Sequence, residues 1–148
     1  MTVVALIVAA GKGIRAGGGT PKQYRMIGGR PLLCHSIERF ARNSKIDHIK
    51  VVTGDGANDF YKDAVGHLSL EARKKMLEPV LGGETRQQSV LNGLISLGDL
   101  EPALVFVHDA ARPFLTQGVL ERLFIALDDN HGALAALPIA DSLKRGGG

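Results

Sequence analysis

The chain has 148 residues, a length that suits one domain with a substantial hydrophobic core. Its 45% hydrophobic and 22% charged residues are typical of a globular protein, and a net charge of +3 scattered along the chain gives no argument for nucleic-acid binding. Cys34 is the single cysteine, which excludes an internal disulfide, and the apolar amino-terminal run is too short to span a membrane and lacks the basic start of a signal peptide. We therefore expect a cytoplasmic protein that acts on neither nucleic acid nor membranes.

The first predicted strand covers residues 2–8 and leads into a glycine-rich loop. The strand residues are nearly all apolar and β-branched, as expected for a strand buried on both faces of a parallel sheet. Glycines directly after such a strand let backbone N–H groups approach phosphate oxygens. Arg15 and Lys22 bring two cations to the same loop, enough to neutralise a polyphosphate. The loop therefore predicts chemistry on a nucleoside triphosphate.

Two other phosphate-binding sites and a plain surface loop are the alternatives for this stretch. Residues 11–16 match the dinucleotide pattern G-x-G-x-x-A, which requires a helix that starts inside the motif and an acid about 20 residues further on. The glycines at 17–19 and Pro21 would break that helix, and the chain has no acid at residues 30–33. A P-loop requires Gly-Lys-Ser/Thr after the glycines, and this sequence has no such motif at that spacing. A flexible surface loop stays open but leaves the basic residues unexplained, so nucleotidyl transfer is favoured.

Helical and strand patterns alternate after this loop. Pro31 begins a helix whose apolar face comprises Leu33, Ile37, Phe40 and Ala41. A strand is predicted at residues 48–53. Residues 57–75 are mixed and give no firm prediction, and residues 77–81 are predicted to form a short strand.

The later part of the chain continues the alternation. A Thr85-x-x-Gln88 capping box opens a helix predicted to bury Val90, Leu91, Leu94 and Leu97. Residues 103–107 form the next predicted strand, apolar residues between 119 and 127 mark another helix, and residues 133–137 are predicted as a fifth strand. This alternation predicts an α/β fold with an open, mostly parallel Rossmann-like sheet and helices on both faces, in one domain over residues 1–148. Since the chain reaches residue 148 with no closing helix after the last predicted strand, we expect this domain to be truncated at its carboxyl end.

Two more loops carry polar residues at the carboxyl ends of predicted strands, where ligands bind in open parallel sheets. Gly82 and Gly83 with Ser89 can offer close backbone and fixed hydrogen-bond groups to a nucleobase, or they form only a turn and a helix-face hydroxyl. Asp109 can be a Mg²⁺ ligand beside a triphosphate, a helix cap, or a partner of Arg112. The three loops together favour a functional site.

Five motifs, in this order, resemble those of the 2-C-methyl-D-erythritol 4-phosphate cytidylyltransferase family over essentially the whole chain. They read Ala9-Ala10-Gly11-Lys12-Gly13-Ile14-Arg15, Pro21-Lys22-Gln23-Tyr24, Gly82-Gly83-Glu84-Thr85-Arg86-Gln87-Gln88-Ser89-Val90, His108-Asp109-Ala110-Ala111-Arg112-Pro113 and Asp141-Ser142-Leu143-Lys144-Arg145. The resemblance implies a nucleotidyltransferase-type fold. It also implies that CTP and methylerythritol phosphate are joined into CDP-methylerythritol, with release of pyrophosphate, by a Mg²⁺-dependent homodimer.

The same resemblance assigns a role to each candidate residue. Arg15 and Lys22 match the catalytic basic pair, which stabilises charge on the α-phosphate. The nucleotide-binding positions are Ala10, Gly11, Gly13, Gly82, Gly83 and Ser89. Asp109 matches the residue near the metal and the ribose, and Arg112 and Ser142 match positions that contact the acceptor.

This sequence departs from the family pattern in two places. Ser142 stands where the family usually has threonine, which keeps the hydroxyl. Family members also continue into an arm exchanged between subunits, which is not present in these 148 residues. Three alternatives stay open: a different acceptor such as ribitol phosphate, a non-catalytic nucleotide-binding module, and a fusion to a cyclodiphosphate synthase.

Overall fold

The computed structural model describes residues 1–11 and 19–138, so Gly13, Arg15 and Ser142 lie outside the described residues. The chain divides into two compact units, Met1–Leu115 and Thr116–Gly148. No helix within the described ranges is long and apolar enough to cross a membrane.

A four-stranded parallel sheet forms the centre of the first unit. Its strands are β1 (Val3–Ala9), β4 (His48–Thr53), β5 (Val80–Leu81) and β6 (Leu104–Asp109), arranged in the order β5-β4-β1-β6. The central strand β1 is almost completely buried, and the register places Ala9 opposite Thr53 and Val8 opposite Asp109. The carboxyl ends of the strands therefore meet at one edge of the sheet, and the predicted open parallel sheet is confirmed.

A small hairpin that the sequence reasoning missed joins the glycine-rich loop to the first helix. Strands β2 (Met26–Ile27) and β3 (Arg30–Pro31) pair antiparallel around Gly28 and Gly29. Both glycines have left-handed φ angles, +56° and +78°, which two-residue hairpin turns require and which glycine adopts without strain. Strands of two residues carry too little pattern to be recognised from sequence.

The described residues of the first unit also form four α-helices: α1 (Leu32–Ala41), α2 (Asn58–Gly66), α3 (Leu70–Lys75) and α4 (Arg86–Ile95). Helix α1 begins immediately after Pro31, and its predicted apolar residues Leu33, Ile37, Phe40 and Ala41 are all buried. Two short helices, α2 and α3, lie within residues 57–75, for which no firm prediction was possible. The Thr85 side chain accepts a hydrogen bond from the backbone N–H of Gln88, so the predicted cap of α4 is confirmed.

Helices α1 and α4 cover opposite faces of the sheet. The Phe40 ring of α1 lies 6.5 Å from the Phe106 ring and 5.3 Å from the His108 ring, measured between centroids. Gly93 of α4 lies against the side chains of Leu6 and Val52. In the register of β1 and β6, Leu6 is opposite Val107, the residue between Phe106 and His108. Because side chains alternate along a strand, the two helices contact different faces, as predicted.

The buried face predicted for α4 is partly wrong. Leu91 and Leu94 are 51% and 40% exposed, whereas Ser89, Gly93 and Leu97 are buried. A Cβ at Gly93 would lie within 2.9 Å of the Leu6 and Val52 side chains, so the helix approaches the sheet too closely for a larger residue. The contact between α4 and the sheet uses two small residues spaced four apart, Ser89 and Gly93, and a search for large apolar residues overlooks them.

The second unit contains α5 (Gln117–Asp128), which confirms the last predicted helix and buries Leu120 and Phe124. The predicted fifth strand is wrong: residues 133–137 form no strand, and Leu134 and Leu137 are about nine-tenths exposed. The segment consists of alanine and leucine and has none of the β-branched or aromatic residues that favour strands.

Candidate active site

A cavity of about 550 Å³ opens at the carboxyl ends of the strands in the first unit. Its walls come from the end of β1 and the following residues as far as Gly11, from Lys22 and Gln23, from the loop and first turn of α4, and from residues 109–111 after β6. Three loops that are far apart in sequence therefore meet around one space. This is the place where open parallel sheets bind ligands.

Lys22 and the start of the glycine-rich loop face this cavity together. Lys22 is exposed and begins a short 3₁₀ turn, Lys22–Tyr24. The next residue, Gln23, is buried, and its side-chain amide donates to the carbonyl oxygens of Ala9 at 2.6 Å and Gly11 at 2.9 Å. The turn that carries the lysine is thus attached to the loop that follows β1.

The Gly82–Gly83 turn is tied to Ser89, which is buried at the start of α4. The Ser89 hydroxyl accepts from the Gly83 N–H at 3.1 Å and donates to the Thr85 carbonyl at 2.9 Å. A Cβ added to Gly82 would lie 2.5 Å from the Ala10 Cβ, and one added to Gly83 would overlap the Gln88 side chain. Both glycines are therefore required by close packing, and the turn lies directly against the loop after β1.

Asp109 lies at the end of β6 between two arginines. One carboxylate oxygen accepts a hydrogen bond from Arg86 Nε at 2.8 Å, and the other forms an ion pair with Arg112 Nε at 3.2 Å. Both guanidinium groups are mostly exposed, so these pairs contribute only about 0–1 kcal/mol each to stability. Of the alternatives left open for Asp109, the pairing with Arg112 is present in the structure.

Arg86 is a cavity residue that the sequence reasoning missed. It occupies the first turn of α4, where a cation is unfavourable next to the positive end of the helix dipole. An arginine placed against the dipole indicates that something else requires it there. Asp109 on the next loop supplies such a reason, because its carboxylate accepts from Arg86 Nε at 2.8 Å.

His108 supports the loop that carries Asp109 and Arg112. Its Nε2 lies 2.8 Å from the Arg112 carbonyl oxygen, which only accepts, so this nitrogen carries the proton. Burial lowers the pKa of His108 from its ordinary value and favours the neutral ring. The Ser36 hydroxyl of α1 donates to the Ala110 carbonyl at 2.9 Å, and this bond attaches the same loop to α1.

Most of the predicted site residues that the structure describes gather at this cavity. Ala10, Gly11, Lys22, Gly83, Ser89 and Asp109 line it, Gly82 packs against Ala10, and Arg112 pairs with Asp109. Within the described ranges, no three His, Cys, Asp or Glu side chains are grouped so that they could hold a metal ion alone.

These features define a class: an α/β protein of the nucleotidyltransferase type, in which Lys22, the Gly83–Ser89 pair and Asp109 surround one cavity at the edge of a parallel sheet. A sequence model of the 2-C-methyl-D-erythritol 4-phosphate cytidylyltransferase family, IspD, matches residues 3–148. The chain therefore belongs to the 2-C-methyl-D-erythritol 4-phosphate cytidylyltransferase family, as its motifs suggested.

Individual relatives agree with this assignment. The chain is 46% identical over 145 residues to a bifunctional enzyme IspD/IspF of Rhizorhabdus wittichii and 47% identical over 143 residues to one of Paramagnetospirillum magneticum. These alignments cover 98% and 97% of this chain but 36% of each relative. A solved structure of 4-diphosphocytidyl-2C-methyl-D-erythritol synthase superposes with a TM-score of 0.74 at 32% identity, covering 98% of this chain and 63% of that one. The chain thus spans about a third of the length of the curated relatives it matches.

Proposed function

We propose that this chain acts as a cytidylyltransferase that joins CTP and 2-C-methyl-D-erythritol 4-phosphate and releases pyrophosphate. The observation that carries the proposal is the convergence of Lys22, the Gly83–Ser89 pair and Asp109 on one cavity next to the glycine-rich loop. Each supplies one requirement of the reaction: positive charge for a polyphosphate, a small pocket for a base, and a carboxylate for a metal. Family membership supports the same substrates.

In the proposed reaction, a phosphate oxygen of the acceptor attacks the α-phosphorus of CTP. The bond between the α-phosphorus and the oxygen bridging to the β-phosphorus breaks, and pyrophosphate leaves with that bridging oxygen. The attacking phosphate is already ionised near neutral pH, so no side chain needs to remove a proton. Catalysis then depends on positioning and on charge neutralisation, which is the role we assign to Lys22 and Arg15.

The base is proposed to lie against the Gly82–Gly83 turn. Backbone groups of this turn and of Ala10 and Gly11 would frame it, and Ser89 would keep the turn in place through its bond to the Gly83 N–H. We propose that this frame accepts a pyrimidine and excludes the larger purines, because backbone groups close to the base leave a small pocket.

We further propose that Asp109 helps to hold Mg²⁺. The donor set fits this ion, since Mg²⁺ is commonly bound by one or two carboxylates together with substrate phosphates and water. Arg86 and Arg112 pair with both carboxylate oxygens and would compete with the ion for them. When bound, the ion would neutralise charge on the phosphates.

The remaining proposals concern the acceptor and the assembly. Arg112 and Ser142 are proposed to contact the acceptor phosphate, and the protein is proposed to work as a homodimer in the cytoplasm. Because the curated relatives are bifunctional enzymes IspD/IspF, we also propose that a cyclodiphosphate synthase accompanies this chain in the same polypeptide.

Pyrophosphate release by the full-length protein tests the proposal. CTP, UTP, ATP and GTP are each offered with methylerythritol phosphate and Mg²⁺, and CTP is then offered with ribitol 5-phosphate. We expect release with CTP and methylerythritol phosphate only. Equal rates with purine nucleotides would contradict the cytidylyl assignment, a preference for ribitol phosphate would replace the acceptor, and CTP binding without turnover would indicate a non-catalytic module.

A further inference from the structure

Gln23 connects two parts of the cavity wall through a single buried group. Its side chain is in the 3₁₀ turn directly after Lys22, and its Nε2 lies 2.6 Å from the Ala9 oxygen and 2.9 Å from the Gly11 oxygen. Ala9 ends the central strand, and Gly11 belongs to the loop after it. The two bonds therefore connect the lysine-bearing turn both to the buried central strand of the sheet and to the loop that follows it.

The chemistry of the contact restricts which side chain can make it. Both partners are carbonyl oxygens, which only accept, so the residue must offer two N–H donors and no charge that burial would penalise. A primary amide meets both conditions. Glutamate of the same shape would place carboxylate oxygens against carbonyl oxygens, and methionine of similar length would leave both carbonyls without this donor.

The turn is also held on its other side. The Tyr24 ring stacks on Phe60 of α2 with centroids 5.6 Å apart and planes inclined by 21°. The Tyr24 N–H donates to the Pro21 carbonyl at 2.9 Å, and the Arg25 N–H donates to the Lys22 carbonyl at 3.2 Å. The backbone that carries Lys22 is thus fixed by packing on α2 and by the Gln23 amide on β1.

We propose that Gln23 is a positioning residue for Lys22: its amide fixes the distance between this cation and the loop after β1. The inference rests on the proposed function, in which Lys22 stabilises charge on a phosphate held by that loop. Gln23 acts through the backbone of the turn and takes no part in the chemical step.

The test measures kcat and KM for Gln23→Met in the full-length protein, with Lys62→Met on the exposed face of α2 as the control for introducing a methionine away from the cavity. A displacement of about 1 Å at a positioned group lowers turnover roughly 10²-fold, so we expect that loss in kcat for Gln23→Met. KM for CTP should stay close to its original value, because the lost interaction acts only in the transition state. The control should retain its activity.

A double-mutant cycle separates positioning from general loosening of the fold. If Gln23 acts through Lys22, then Lys22→Ala and the double variant with Gln23→Met turn over at the same rate. If the double variant is instead slower than Lys22→Ala by the full factor that Gln23→Met alone produces, the proposal is overturned. Gln23→Asn keeps the two N–H donors on a shorter side chain, so its kcat should fall less than that of Gln23→Met. If the methionine variant does not fold, the double-mutant cycle is measured with Gln23→Asn in its place.

The remaining outcomes are also decisive. Failure of both Gln23 variants to fold would make Gln23 a folding residue and overturn the proposal, as would wild-type kcat in Gln23→Met. In either case an active wild-type protein leaves the proposed function intact. A wild-type protein that releases no pyrophosphate from CTP would instead overturn the proposed function, and the inference with it.

Discussion

Replacing Gly82 by alanine tests whether the pocket depends on contact between two loops. The added Cβ would lie 2.5 Å from the Ala10 Cβ and 2.7 Å from the Ser89 Oγ. Carbon atoms normally rest at about 3.5–4.0 Å, so the loops must separate by about 1 Å. The Ser89 hydroxyl is held by its bonds to Gly83 and Thr85, so Ala10 is the group that gives way.

Two effects of Gly82→Ala follow from that displacement. Overpacking of this kind lowers the free energy of unfolding by about 1–3 kcal/mol. A shift of about 1 Å in a wall of the pocket lowers kcat/KM for CTP by roughly 10²-fold. Thermal melting measures the first effect, and pyrophosphate release at several CTP concentrations measures the second.

The control for this experiment is Gly66→Ala at the end of α2. A Cβ at Gly66 would have no atom within 4 Å, and alanine favours helix, so both stability and kcat/KM should be preserved or slightly improved. Wild-type melting temperature and wild-type CTP kinetics in Gly82→Ala would refute the packing of Gly82 against Ala10 on which the pocket is built.

Three further predictions concern charges around the cavity. Lys22→Ala should lower kcat by roughly 10²–10³-fold without changing the melting temperature. Lys62→Ala, at an exposed position of α2, serves as its control. A Lys22→Ala variant with wild-type activity would contradict the role of Lys22. Arg112→Ala should mainly raise KM for the acceptor, and an unchanged acceptor KM would remove it from that site. Because burial lowers the pKa of His108 in the folded chain, the unfolded chain takes up the proton first as pH falls through about 6.5, so stability should decrease below neutral pH. His108→Gln should weaken this dependence in melting curves between pH 7.5 and 5.5, and an identical pH dependence would contradict it.

The regular parts of the fold could be predicted from sequence because burial leaves a clear pattern there. The strand at His48–Thr53 and the apolar face of α1 were predicted correctly since every apolar residue in them meets the core. The buried face of α4 was predicted in part wrongly because its closest contact with the sheet is made by Gly93, which can approach Leu6 and Val52 only because it has no side chain. Leu91 and Leu94, which the pattern favoured, are exposed.

The three loops that form the site were predicted from the sequence, but the hydrogen bonds and ion pairs between these loops were not. The three loops follow from strand order, and the motifs singled out Lys22 and Asp109. Gln23 and Arg86 were missed because their importance comes from partners elsewhere in the chain: two carbonyls after β1, and a carboxylate 23 residues away. A cation in the first turn of a helix was the one local signal for Arg86.

Transfer of the cytidylyl group to the acceptor can be followed by ³¹P NMR in a reaction with the full-length protein, CTP, methylerythritol phosphate and Mg²⁺. We expect the CTP resonances to be replaced by the paired resonances of a diphosphate diester together with one equivalent of free pyrophosphate. Formation of inorganic phosphate and CDP, or of CMP with no diester, would mean hydrolysis of the nucleotide and would contradict transfer to the acceptor.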